Sequence, residues 1–249
     1  MAGHSKWAQI KHKKKVVDAR RGQLFTKLTR AIQVAAREGG GDPAMNAALA
    51  NAVQKAKDAR MPKDNIERAI AKGAGADADA QAIEEVTYEG YGPGGVAILV
   101  EALSDNRNRT GADVRHILTK HGGSLGEPGS VAWTFEKKGE LVVDSGRYGE
   151  DELMAAIDAG AEDVSLDGDV WEVVTPPAEL AAVRQALEAQ GVELESAELV
   201  MRPMARTRVE DDKVGSLVRL VEELEEHDDV QAVHANFDIN AEVLERVAG

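Results

Sequence analysis

Leu24, Leu28, Ile32 and Ala35 recur at close to four-residue spacing, widened by Phe25 and Ala31, and predict a helix over 23–37 that stops at Gly39-Gly40-Gly41. Asp42-Pro43 predicts the start of a second helix, a capping side chain followed by a residue with no N–H to leave unpaired. Its apolar face would be Met45, Ala48, Leu49, Ala52, Val53 and Ala56. Pro62 opens a third, short helix with Ile66, Ala69 and Ile70 inward and Gly73 as terminator. Three short helices on short connections predict a small bundle. The stretch GAGADADAQA at 73–82 has no periodicity and reads as a linker.

Beyond the linker the period shortens to two. Val86 and Tyr88 alternate with polar neighbours, GYGPGG at 90–95 reads as a turn, and Val96–Leu103 reads as a buried strand. Thr110 and Asp113 have capping-box spacing ahead of a helix with Val114, Ile117 and Leu118 inward, ending at Gly122-Gly123. A second set follows. Val131, Trp133 and Phe135 alternate, Lys137–Gly139 reads as a turn, and Leu141–Val143 continues as a strand. Then come a helix at Glu150–Ala159, a hairpin about Asp167-Gly168, a helix at Pro177–Gln190 and a strand at Leu194–Met201, giving β-β-α-β-β-α-β. A helix over Val214–Glu226 and a strand over Val230–Phe237 make a poor domain alone, but could complete the strand–strand–helix unit at 84–121. The expected fold is therefore α+β. A three-helix bundle at 1–78 precedes two α/β domains of β-β-α type, one at 131–207 inserted in a discontinuous one made of 79–130 with 208–249.

Composition narrows the function. Hydrophobic residues make up 43% of the 249, aromatics only 4%, so the cores rest on Ala, Val, Leu and Ile. With no cysteine, disulfides, thiolate metal sites and thiol nucleophiles are excluded. No apolar run follows the basic N-terminus, and Val96–Val100 is far too short to span a bilayer, so a soluble cytoplasmic protein with no membrane partner is expected. The net charge of −14 hides a division: residues 1–75 carry 16 Lys+Arg against 6 Asp+Glu, a net +10, and the rest carries −24. Such a split suggests a polyanion-binding arm on an acidic body that repels phosphates.

The arm is HSKWAQIKHKKKVVDARR at 4–21, with His4, Lys6, Lys11, His12, Lys13, Lys14, Lys15, Arg20 and Arg21 against the single acid Asp18. It reads as a phosphate-contacting segment in which Trp7 stacks on a base, or as a solvated tail whose Trp7 packs on the bundle. In the body, Arg107, Arg109, Arg115, His116, Lys120 and His121 gather within 104–123. That stretch reads equally as a second phosphate contact or as a loop whose arginines pair with nearby carboxylates. GYGPGG lacks the Lys-Ser/Thr ending of a phosphate loop and is better read as a turn. The six histidines show no metal-ligand spacing, and no nucleophile elbow is present. No catalytic residue, cofactor or metal is expected.

AGHSKWAQIKHKKKVVDARRGQLFTKLTRAI at 2–32, MPKDNIERAI at 61–70, YEGYGPGGVAILVEALSDNRNRT at 88–110 and GGSLGEPGSVAWTF at 122–135 closely resemble the YebC/PmpR family. That family includes bacterial proteins described as transcriptional regulators and the mitochondrial translational activator of cytochrome oxidase subunit one. The resemblance spans essentially the whole chain and implies a helical domain, two α/β domains with one inserted in the other, and no catalytic residues. It also implies either DNA binding near promoters or action at the ribosome, relieving stalls such as those at proline runs. Carried over by position, the contacts are Lys6, Trp7, Lys11, Lys13, Lys14, Arg21, Lys27 and Arg30, with Lys63, Asn65 and Arg68 in the second motif. The expectation is a monomeric, non-enzymatic regulator acting on ribosomal RNA or tRNA at the ribosome. Its alternatives are a promoter-binding transcriptional regulator and a scaffold that binds proteins through its acidic face.

Overall fold

The structure is a computed structural model and describes residues 18–75 and 83–248. Its helical part comprises α1 (Asp18–Gly39), α2 (Ala47–Asp58) and α3 (Lys63–Ala74), closed around Leu28, Ile32, Leu49, Val53, Ile66 and Ala69. The second helix starts later than the sequence predicts. Asn46 is its cap, accepting from the Leu49 amide at 3.1 Å, while its side-chain nitrogen donates to the carbonyls of Ala35 (2.7 Å) and Gly40 (2.9 Å). One buried amide thus satisfies the end of α1 and the start of α2 together. Asp42 instead closes a turn through the Ala44 amide, so Met45 and Ala48, expected inward, are exposed, Met45 to 84%. Gly73 does not end α3, since Gly75 follows it as the cap. A Cβ at Gly73 would lie 2.4 Å from the Gln33 carbonyl oxygen, so the glycine marks where α3 presses against α1.

The body begins with β1 (Glu84–Tyr91), a 3-10 turn at Pro93–Gly95, β2 (Ala97–Ser104), α4 (Arg107–Lys120) and β3 (Ser124–Leu125). Next come β4 (Phe135–Asp144), α5 (Glu150–Asp158), β5 (Asp163–Asp167), β6 (Val170–Thr175), α6 (Leu180–Ala189) and β7 (Leu194–Pro203). The chain ends with β8 (Thr207–Arg208), α7 (Asp211–Glu226), β9 (Val230–Ala235), β10 (Phe237–Asp238) and α8 (Ala241–Ala248).

The first sheet has the order β3-β1-β2-β9, so a strand from the end of the chain pairs with β2 (Val100 opposite Val233). Alternate β2 residues Ile98 and Val100 pack with Val114 and Leu118 of α4 and Leu217, Leu220 and Leu224 of α7. Thr110 and Asp113 do not form a cap. Asn106 takes that role by accepting from the Arg109 amide, which starts α4 a turn earlier and buries the Thr110 hydroxyl 2.7 Å from Ser104 Oγ.

The second sheet has the order β5-β6-β4-β7, with α5 and α6 over a core of Leu141, Val143, Leu153, Val173, Val183 and Leu187. The order of elements is β-α-β-β-α-β, the split βαβ arrangement. One strand fewer than expected is present because Lys137–Gly139 is not a turn. Gly139 pairs with Thr175 on one side and Leu199 on the other, and a Cβ there would meet Thr175 Oγ1 at 2.2 Å. A small apolar contact of Ala97, Leu99, Val131, Phe135 and Met201 joins the two sheets. Ahead of β4, Ala132–Thr134 forms a 3-10 turn that breaks the expected alternation. Val131 and Phe135 stay buried while Trp133 turns outward, 69% exposed. No helix among the described residues is long and apolar enough to cross a membrane.

Candidate nucleic-acid interface

The cationic residues singled out in the sequence fall into three groups. Lys6, Trp7, Lys11, Lys13, Lys14 and Lys15 lie outside the described residues, and of Arg20 and Arg21 only the backbone, in the first turn of α1, is described.

A second group stands on exposed helix surface. On α3, Lys63 pairs loosely with Glu67 (3.5 Å), and Arg68 donates to Asn65 Oδ1 (2.7 Å) and the Asp64 carbonyl (3.1 Å). These are single-turn contacts that hold the side chains in place while leaving them to solvent, and contribute little stability. Arg107, in the first turn of α4, is exposed, and its carbonyl accepts from the Tyr88 hydroxyl at 2.8 Å.

The third group turns inward to join the bundle to the body. Lys27 and Arg30 lie one turn apart on α1. Lys27 Nζ donates to the Glu225 carbonyl at 2.5 Å and Arg30 Nη1 to the Asp228 carbonyl at 3.0 Å. These carbonyls sit at and just past the C-terminus of α7, where helix carbonyls lack intrahelical partners and the dipole favours cations. Arg30 also reaches Asp229 Oδ1 (2.6 Å), while Arg109 Nη2 (2.8 Å) and the Thr110 hydroxyl (2.6 Å) reach Asp229 Oδ2. Asp229 is only 3% exposed. Burial alone would raise its pKa, but the bonds from Thr110, Arg109 and Arg30 outweigh it and hold the carboxyl at about 2. In the stretch at 104–123, Lys120 (2.8 Å) and His121 (2.6 Å) likewise share Glu223, whereas Arg115 and His116 are exposed.

Nothing in the spacing of HDDV at 227–230 marks Asp229 as the meeting point of three elements. Its partners are 199, 120 and 119 residues away in sequence. Phe25, Thr26, Thr29, Arg30, Gln33, Lys72 and Ile83 line an open cleft of about 380 Å³ on the bundle side of this junction. Among the described residues no cluster of three His, Asp or Glu side chains could hold a metal ion.

Comparison with known proteins covers the whole chain. The family profile "TACO1/YebC protein N-terminal domain" matches residues 5–76, and "TACO1/YebC second and third domain" matches 83–237. A "Probable transcriptional regulatory protein" of Rubrobacter xylanophilus is 59% identical over the full length of both chains, and one of Desulfotalea psychrophila is 55% identical, also over both full lengths. The crystal structure of a conserved hypothetical protein from Aquifex aeolicus superposes with a TM-score of 0.84 at 49% identity, covering 94% of this chain and 97% of that one.

Proposed function

The chain belongs to the TACO1/YebC family of regulatory proteins, and from that premise we propose that it is a non-enzymatic, cytoplasmic nucleic-acid-binding regulator that leads with its N-terminal part. The observation that carries this reading is the segregation of charge, +10 on residues 1–75 against −24 on the remainder. A polyanion is drawn to one end of such a molecule and kept from the other. The contact surface is the arm from Lys6 to Arg21 together with Lys63, Asn65 and Arg68 on α3 and Arg107 on α4. Lys27 and Arg30 hold the bundle in position on the body through the end of α7 and the Asp229 carboxylate, which Arg109 also bonds from within the body. The division into 1–78, 79–130 with 208–249, and 131–207 fits this arrangement, the bundle seating on the discontinuous part through the end of α7 and Asp229.

The favoured target is ribosomal RNA or tRNA at the ribosome, where a monomer of this protein would relieve stalled translation. Structured RNA is read largely through shape and backbone, which suits a basic arm and requires no recognition helix lined with base-reading side chains. The names of the relatives favour a second reading, a DNA-binding transcriptional regulator. Crosslinking in cells followed by sequencing of bound DNA and RNA separates the two. Enrichment of ribosomal RNA or tRNA is expected, and enrichment of promoter DNA would decide for the second reading. Deleting residues 1–21 is expected to lower affinity for RNA and DNA together and to flatten the salt dependence of binding. Unchanged binding in moderate salt would remove the arm from the mechanism.

A further inference from the structure

We infer that Trp133 is a second nucleic-acid contact, a platform on which one unpaired base of an RNA strand stacks. The inference rests on the nucleic-acid reading above and extends it to the body of the molecule.

Trp133 and Trp171 show the contrast that motivates it. Trp171 packs against the core of the second sheet and donates its indole N–H to the Tyr148 carbonyl at 2.9 Å. Trp133 also has its N–H satisfied, by the Ser130 carbonyl at 3.1 Å, yet it lies 69% exposed. With the N–H taken up internally, the ring faces are what this side chain offers a partner. The loop that carries it is tightly held. Buried Glu89 accepts from the backbone amides of Gly129 (2.6 Å), Val131 (2.7 Å) and Ala132 (2.8 Å), and the Ser130 carbonyl also accepts from the Tyr91 hydroxyl at 3.1 Å. Burial opposes ionisation of Glu89, but these amide bonds prevail and hold its pKa below the usual carboxylate value. An indole fixed in this way loses little freedom when a flat ligand settles on it.

The neighbouring segment supplies the charge. MRPMARTRV at 201–209 has three arginines and no acid, in a body that is otherwise strongly acidic; Arg202 is paired to Glu140 and Glu172, so the site draws on Arg206 and Arg208. It passes directly beside the loop, since the Met204 amide donates to the Thr134 carbonyl at 2.9 Å. Met204 is 62% exposed, and Arg206 and Arg208 are exposed beyond it. A rigid aromatic face next to a cationic segment is the combination that binds single-stranded nucleic acid, the ring taking a base and the cations following the phosphates.

The test uses the full chain with Trp7→Phe and Trp171→Phe, leaving Trp133 as the sole indole, titrated with a short single-stranded oligoribonucleotide and with a duplex of the same sequence. The single strand is expected to quench the indole emission and the duplex to leave it unchanged. In the otherwise unaltered chain, Trp133→Ala is expected to weaken single-strand binding about tenfold and Trp133→Phe to retain most of it, with duplex binding unaffected. RNA binding without quenching, or a Trp133→Ala chain that binds the single strand as tightly as its parent, overturns the platform and leaves the arm standing. Quenching by a proline-rich peptide but not by RNA overturns it in favour of a peptide site. Complete absence of RNA binding by the full chain overturns both readings.

Discussion

Two buried charge clusters in this molecule are built with opposite proportions. At the junction of bundle and body, one carboxylate, Asp229, is reached by two guanidinium groups, Arg30 and Arg109, and by the Thr110 hydroxyl. On the second sheet, one guanidinium, Arg202, reaches two carboxylates, Glu172 at 2.7 Å and Glu140 at 3.3 Å. The consequences run in opposite directions. The Asp229 carboxyl is held down at about 2. Glu140 is pushed up to about 7, by burial first and then by Glu172, with Arg202 only partly opposing. Burial raises a carboxyl pKa in both places, and the surrounding charges and hydrogen bonds decide whether that tendency is overcome. The first cluster joins separate parts of the chain, and the second stores a carboxylate that is poorly compensated near neutral pH.

Removing the hub carboxylate should have the largest effect. Asp229→Ala removes the buried acceptor shared by Arg30, Arg109 and the Thr110 hydroxyl and is expected to cost about 3 kcal/mol, measured by urea unfolding at pH 7. Arg202→Met removes the cation between Glu140 and Glu172, with an expected loss of about 2–3 kcal/mol at pH 8 that shrinks at pH 5, where Glu140 can take up a proton. A loss independent of pH would mean that Arg202 acts through packing alone. Titration contrasts the clusters directly. The pKa of Asp229 is lower folded than unfolded, so its stabilisation is present above about pH 4 and disappears as the pH falls towards 2. The gap in stability between the parent and Asp229→Asn should therefore narrow by about 2 kcal/mol across that range. Glu140, raised in the folded state, behaves inversely: its contribution is fullest below pH 4.5 and is lost as the pH rises towards 7. Glu140→Gln should accordingly be more stable than the parent at pH 8 and close to unchanged at pH 4, measured by urea unfolding at the two pH values.

Much of the fold is legible in the periodicity of the chain, because most of its elements bury a single face. The spacing of Leu24, Leu28 and Ile32 predicts α1, and Asp167-Gly168 predicts the β5–β6 hairpin, with Gly168 at φ +64. The failures occur where a polar side chain or a missing Cβ acts through residues distant in sequence. Asn46 outcompetes Asp42 as a cap because its amide also bonds Ala35 and Gly40. Gly139 lies inside a strand because Thr175 needs the space. The alternation of Val131, Trp133 and Phe135 suggests three strand positions, and only the Glu89 carboxylate, gathering amides from the following loop, explains why the middle one faces solvent. For the site, the cationic residues are plain in the sequence, but their partners are not. Lys63 and Lys27 are indistinguishable as letters, although one points to solvent and the other to the end of α7.

The pairing of β9 with β2 sets an order of events during synthesis. The sheet β5-β6-β4-β7 lies wholly within 135–203 and can close as soon as that stretch leaves the ribosome, whereas the sheet β3-β1-β2-β9 must wait for residues 230–235. Until α7 and β9 emerge, Ile98, Val100, Val114 and Leu118 lack the partners those elements supply, and the carboxylate that anchors Arg30 has not yet been made. The bundle therefore acquires its seat on the body only after α7 and Asp229 have been made, so a product truncated before them would carry the basic arm without the part that orients it.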